Sequence, residues 1–177
     1  MQTIYTTTCA SPVGRLVLES DGKALTRVRF PGEAVDAAAA RRRDPGPFAD
    51  VVIQLQEYFA GTRRNFDVAL APRGTPFQLA VWRALRKIPY GRTITYAELA
   101  HRIGNDKACR AVGAANGRNP LPILVPCHRV IGADGSLTGF GGGIEAKRRL
   151  LVLEGAGGPW SARAPLTAAR ETAPDGS

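Results

Sequence analysis

Histidine and cysteine are scarce in this chain of 177 residues: His101 and His128 are the only histidines, and Cys9, Cys109 and Cys127 the only cysteines. An odd number of cysteines with no Cys-x-x-Cys spacing does not make a disulfide framework, and two histidines do not complete a metal's ligand set. No metal and no cofactor are expected. Long apolar runs are missing too: no stretch approaches the roughly 20 residues that a membrane span requires. Residues 1 to 10 lack the basic-then-apolar order of a secretory leader. A reducing, cytoplasmic setting without membrane attachment is therefore expected. The glycines at 139 and 141 to 143 match neither a dinucleotide-binding nor a P-loop spacing, so nucleotide cradling is not indicated.

What is present is an ordinary globular composition, 44% hydrophobic and 22% charged, on a chain long enough for two small domains. The net charge of +9 is unevenly placed. Residues 1 to 72 hold nine Lys and Arg against eight Asp and Glu, residues 73 to 155 hold thirteen against five, and residues 156 to 177 two against two. Clustered cations are the electrostatic footprint of a nucleic-acid binder, because phosphates reward them through counterion release. The expected organisation is an N-terminal domain over 1 to 72, a basic domain over 73 to 155 and a disordered tail over 156 to 177, which is rich in Ala, Gly, Pro and Ser.

Within the first domain, Gly14 to Leu18 and Leu25 to Phe30 flank Asp21-Gly22 and read as a hairpin with one wet face carrying Arg27 and Arg29. Residues 48 to 59 carry apolar side chains at a helical spacing, and Phe66, Val68 and Leu70 alternate as a short strand. In the basic domain, three helices are expected. Phe77 to Ile88 is the first; Tyr96 to Ile103 follows, capped by Thr95 with Glu98 three residues on; Lys107 to Arg118 comes after the Gly104-Asn105 turn. The last two read as a helix-turn-helix. The inner face of its second helix would be Ala108, Ala111, Val112 and Ala115. Small residues there suit close, sequence-tolerant minor-groove contact better than direct reading of base edges, with Arg110 the one long projecting side chain.

Residues 119 to 130 are the least ordinary in the chain. Three prolines forbid a regular helix while Ile123 to Val125 demand burial, so a rigid, extended, buried segment presenting Cys127 is expected. A lone buried cysteine is usually an inert small hydrophobe. Here His128 and Arg129 adjoin it, and a thiol needs such company to ionise at neutral pH. In an extended segment adjacent side chains diverge, so a bridging water or a local bend would have to link Cys127 to His128. The imidazole in turn wants an orienting carboxylate: Glu154 is the first candidate, Glu98 the competitor.

Pro-Cys-His-Arg-Val at 126 to 130, preceded by Lys-Ala-Cys-Arg-Ala-Val-Gly at 107 to 113 and Thr-Tyr-Ala-Glu-Leu at 95 to 99, resembles the methylated-DNA–protein-cysteine methyltransferases, or O6-alkylguanine-DNA alkyltransferases. The resemblance covers at least residues 77 to 155, and Ser11 to Gly14 is also similar. It implies an α/β N-terminal domain, a small antiparallel sheet with helices of the ribonuclease H-like kind. A mostly α, helix-turn-helix, winged-helix-like C-terminal domain would follow. The implied activity is stoichiometric transfer of the alkyl group from O6-alkylguanine, or O4-alkylthymine, in DNA to Cys127, by a monomer. A thioether offers no leaving group, so each chain would act once. His128 would be the water-mediated base, Glu154 its partner and Asn119 the brace of the turn. Arg110 would fill the gap left by a flipped base and Tyr96 press on its phosphate, with Asn105, Ala111 and Gly113 also at the DNA. Tyr96, Val130, Phe140 and Gly141 would line the base pocket.

Two departures stand out. Phe140 replaces a tyrosine common in that family, which removes a hydroxyl near the guanine oxygen. The histidines through which some members hold zinc are absent, so no structural zinc is implied. The alternative is a non-catalytic module that flags alkylated DNA for other repair systems, which retention of Cys127 disfavours. A transcriptional regulator is disfavoured by the small-residue helix, and a cysteine hydrolase has no evident use for so basic a catalytic segment.

Overall fold

A four-stranded sheet in the order β3-β2-β1-β4 forms the N-terminal part of the computed structural model, which describes residues 3–34 and 41–162. The strands are β1 (Ile4–Cys9), β2 (Leu16–Ser20), β3 (Leu25–Arg29) and β4 (Arg41–Arg43). The expected hairpin is β2 and β3, joined through Asp21, whose carboxylate accepts from the Lys23 and Ala24 amides. The sheet is mixed where an antiparallel one was expected, because β4 runs parallel to β1. The Thr-rich β1 lacks the apolar alternation that announces a strand. Nor is the Arg27 face wholly wet: Arg29 is buried and its Nε donates to the buried Glu19 at 3.1 Å, as does Arg41 at 3.3 Å. Paired and hydrogen-bonded, these charges tolerate burial.

Helix α1 (Ala49–Phe59) turns Val51, Leu55 and Tyr58 into the core at the spacing of one helical face. The strand expected over 66 to 70 does not form. Gln54 takes that segment's hydrogen bonds instead, its side-chain amide bonding both the Asp67 carbonyl and the Asp67 amide, and Leu70 makes only a single bridge to Leu25.

In the basic part, α2 (Pro76–Leu85) and α3 (Tyr96–Arg102) each open on a complete capping box, Thr75 with Gln78 and Thr95 with Glu98. Gly104, at φ +77°, lets the chain leave α3 through a left-handed turn in which its amide bonds the His101 carbonyl. α4 (Cys109–Gly117) then packs across α2 and α3. Val112 and Ala115 face inward as expected, but Ala111 is exposed. A two-residue pair, β5 (Ile94–Thr95) with β6 (Val130–Ile131), fastens the start of α3 to the end of the Cys127 segment. α5 (Ile144–Leu153) buries Ala146, Lys147, Leu150 and Leu151 and ends at Glu154.

Disorder was expected from residue 156, but residues 156 to 162 are ordered. Pro159–Ala162 form a 3-10 turn in which Trp160 is buried against Leu151 and Ala156; residues 163 to 177 lie outside the described residues. One hydrophobic core runs from Cys9 to Leu150 through both parts. Polar links also cross between them, including the Val28 amide to the Pro120 carbonyl at 2.8 Å and Arg149 to the Pro12 carbonyl at 2.8 Å. No helix among the described residues is long and apolar enough to cross a membrane.

Candidate active site

Residues 120 to 130 are all buried, as the apolar run demanded, but the segment is not extended. Asn119 ties it into a turn: its Oδ1 accepts the Leu121 amide at 3.0 Å and its Nδ2 donates to the Val125 carbonyl at 2.7 Å. Inside that turn Ile123 sits at φ +75°, a conformation unfavourable for a β-branched residue and maintained only by the packing and hydrogen bonds around it. Cys127–Arg129 then form a 3-10 turn, possible because Pro126 precedes it and removes no internal bond. With three residues per turn, this 3-10 segment fans Cys127, His128 and Arg129 in different directions and does not itself join His128 to Cys127.

His128 is fully buried, and its Nε2 lies 2.7 Å from Oε1 of Glu154. Of the two candidate carboxylates, Glu154 is therefore the partner, and Glu98 stays in its capping box. Glu154 also accepts Arg129 in a two-pronged pair, Nε to Oε2 and Nη2 to Oε1, both 2.9 Å, and the Tyr58 hydroxyl at 2.7 Å. Burial pushes the Glu154 carboxyl up, but His128 and Arg129 outweigh it and hold the group well below the usual carboxylate range. An ionised carboxylate only accepts, so Nε2 carries the hydrogen and Nδ1 is the basic nitrogen. Burial lowers the imidazole pKa despite Glu154, which keeps the ring neutral. Nδ1 is buried without a protein partner.

Cys127 is 5% exposed, and burial pushes its thiol up to about 11, against the pull of the Asn119 side chain and the Lys147 charge. It borders a cavity of about 410 Å³ shared with Asn116, Asn119, Phe140, Gly141 and, from the N-terminal part, Phe30. Phe140 and Gly141 thus stand at the cavity as expected. Tyr96 and Val130 do not border it: the Tyr96 hydroxyl donates to the Thr138 carbonyl at 3.1 Å, and Val130 is buried in β6. Arg110, Ala111 and Asn105 are exposed on α4 and the turn before it, while Gly113 is half-buried, its Cα facing the Tyr96 ring.

Three residues here were not singled out in the sequence. Lys147 is wholly buried, donates to the same Thr138 carbonyl at 2.8 Å, and is lowered to about 8 by burial, with Cys127 opposing. Asn116 is buried, approaches the Cys127 carbonyl at 3.5 Å, and leaves its Oδ1 without a partner. Tyr58 arrives from α1. Lys147 and Asn116 fit the inward spacing of their helices, yet a lysine and an asparagine at such positions ordinarily read as surface. Among the described residues no three His, Cys, Asp or Glu stand together as metal ligands.

Comparison with known proteins agrees with this geometry. The 6-O-methylguanine DNA methyltransferase ribonuclease-like domain matches residues 4–72, and the DNA binding domain of the same proteins matches residues 76–156. The methylated-DNA–protein-cysteine methyltransferase of Mycobacterium tuberculosis is 52% identical over 152 residues, covering 85% of this chain and 92% of that protein. That of Methanosarcina acetivorans is 50% identical, covering 82% and 94%. Among solved structures, Mycobacterium tuberculosis O6-methylguanine methyltransferase superposes with a TM-score of 0.80 at 49% identity, over 92% of this chain and 95% of that one. Mycobacterium tuberculosis OGT in complex with DNA gives 0.79 at 51%, over 86% and 92%. Identity of this order, sustained through both parts and repeated in the path of the backbone, places the chain in the methylated-DNA–protein-cysteine methyltransferase family.

Proposed function

We propose that Cys127 is the acceptor in the reaction this protein performs, DNA repair by direct transfer of an alkyl group from O6-alkylguanine to a protein cysteine. The observation that carries the assignment is the arrangement behind the sulfur. Of three free thiols, Cys9 is buried among core side chains and Cys109 is exposed on α4. Cys127 alone combines a cavity with a neighbouring buried imidazole whose Nδ1 is unpartnered. The thiol proton passes through a bridging water to Nδ1, and the Glu154 carboxylate stabilises the imidazolium that forms. The thiolate attacks the alkyl carbon, the bond from that carbon to O6 breaks, and the guanine accepts a proton. The product is a thioether, which no water hydrolyses, so the protein acts once.

Asn119 holds the turn that presents the sulfur. The exposed face of α4 supports minor-groove binding: Ala111 and Ala114 let the helix approach the backbone closely, and Arg110 projects to replace a base that leaves the stack. Asn105, Gly113 and Tyr96 belong to the same contact, and Phe140 and Gly141, which border the cavity at Cys127, lie against the extruded base. The protein works as a monomer in the cytoplasm, where its three free thiols stay reduced. The organisation into 1 to 72 and 73 to 155 is part of the same proposal.

Duplex DNA carrying O6-methylguanine labelled in the methyl group tests it. Label should stop at one methyl per chain, on Cys127, and Cys127→Ala should take none. Absence of label would favour a module that only flags lesions, and continuing turnover would remove the single-use acceptor.

A further inference from the structure

Tyr58 lies on α1, in the N-terminal part, to which the reaction above assigns no role. Its side chain is wholly buried, and its hydroxyl donates to Glu154 Oε1 at 2.7 Å across 96 positions of sequence. That oxygen also takes the His128 Nε2–H at 2.7 Å and Arg129 Nη2 at 2.9 Å, while Oε2 takes Arg129 Nε at 2.9 Å and the Gly91 amide at 3.2 Å. A carboxylate oxygen offers two lone-pair directions. Three donors converge on Oε1, so they compete, and weakening one strengthens the others.

The competitor is fixed in place. The ring of Tyr58 is packed by Phe59, Phe66 and Tyr90 at centroid distances of 5.2, 5.4 and 6.1 Å. Burial, then the adjacent Glu154 charge, push its phenol well above the ordinary value, so it donates at every working pH. The other charged and titratable groups facing the pair are Arg129, Lys147 and Cys127 beside His128, and Tyr90 with Arg64 stacked over its ring.

We propose that Tyr58 is a positioning residue for the transfer: its hydroxyl shares Glu154 Oε1 with the His128 ring and so limits how strongly the carboxylate holds the imidazole. The N-terminal part thereby tunes the base, keeping it neutral and ready to accept the thiol proton. This rests on the relay of Cys127, His128 and Glu154 proposed above. Removal of the hydroxyl leaves Glu154 with more negative charge to offer His128, which favours imidazolium and shifts the acid limb of the reaction to higher pH.

The full chain holds two histidines, and His101, exposed and bonded to Asp106 at 2.8 Å, serves as an internal control in a ¹⁵N-histidine NMR titration. In Tyr58→Phe the His128 Nε2–H proton should move downfield. Its titration midpoint, and the acid limb of single-turnover methylation of Cys127, should rise by roughly half to one pH unit. Site-specific 3-fluorotyrosine at position 58, a stronger donor, should move all three the opposite way, and it decides the matter alone if Tyr58→Phe does not fold. His101 should not respond. Folded variants in which His128 keeps its parent signals, or in which those signals move and the rate profile does not, would overturn the proposal. A His128→Asn variant that methylates with the parent pH profile would instead overturn the relay, while the NMR signals still report the coupling of Tyr58 to Glu154.

Discussion

The ring of Phe30, on the loop after β3, meets the ring of Phe140 edge-on at a centroid distance of 5.3 Å. The same ring fills the space that a Cβ on Gly142 would need, 2.7 Å away. Phe30 is buried and cannot yield.

Gly142→Ala should therefore displace the 139 to 143 loop from its seat on the N-terminal part. Overpacking of this kind destabilises by about 1 to 3 kcal/mol. Lower melting temperature together with slower methylation is the expected result; an unchanged melting curve would mean the loop is not seated on Phe30.

Thiol reagents should discriminate between the cysteines. With its thiol pushed up to about 11 by burial, Cys127 holds little thiolate at neutral pH and is shielded as well. Iodoacetamide at pH 7 should modify exposed Cys109 first, while O6-benzylguanine should modify Cys127 alone, as read by peptide mass spectrometry. Stability follows the same shift. From the ordinary thiol value of 9.0 up to about 11 the unfolded chain has released the proton and the folded one has not. This group's contribution is therefore intact below pH 9 and is lost as the pH rises to about 11. Cys127→Ala should flatten that part of the stability profile.

Lys147 works in the other direction. Lowered to about 8 from 10.5, it leaves the unfolded chain with more bound protons between those values, so its burial penalty is complete below pH 8 and fades by pH 10.5. Lys147→Met should raise the melting temperature at pH 7, by a margin that shrinks toward pH 10. It should also slow methylation, about tenfold for each pKa unit by which the Cys127 thiol rises, because the cation that favours the thiolate and the tether on Thr138 both disappear. Unaltered kinetics would show that Lys147 does not assist the sulfur.

Arg110 is exposed on α4 and far in role from the sulfur. Arg110→Ala should weaken repair in duplex DNA much more than reaction with free O6-benzylguanine, as compared by single-turnover rates. Equal losses on both substrates would remove Arg110 from base extrusion.

Where a local pattern carried the information, the sequence was sufficient. The capping box at Thr95 fixes where α3 begins, because a side chain that bonds an amide three residues away needs nothing else from the fold, whereas the box at Thr75, which starts α2 at Pro76, was missed. Apolar spacing located α1, and the hairpin followed from alternation around Asp21-Gly22. Patterns that compete with one another misled. Prolines and a short apolar run suggested an extended Cys127 segment, but the Asn119 amide stabilises a turn with Ile123 at positive φ. Alternation at Phe66 to Leu70 suggested a strand, but Gln54 satisfies that backbone from the side. Arg29 looked like a surface residue because its partner, Glu19, sits on another strand.

The sequence alone determined which sulfur has chemical company, that the charge excess falls in residues 73 to 155 and how α3 begins, since these are read directly from residue identity and from neighbours within a few positions. Only the tertiary structure decided that Glu154 partners His128, that Tyr58 of α1 shares the same carboxylate oxygen, and that Lys147 and Asn116 turn inward toward Cys127. Those relationships join groups as much as 96 positions apart, and contact at such separations comes from how the elements pack, which no local period encodes.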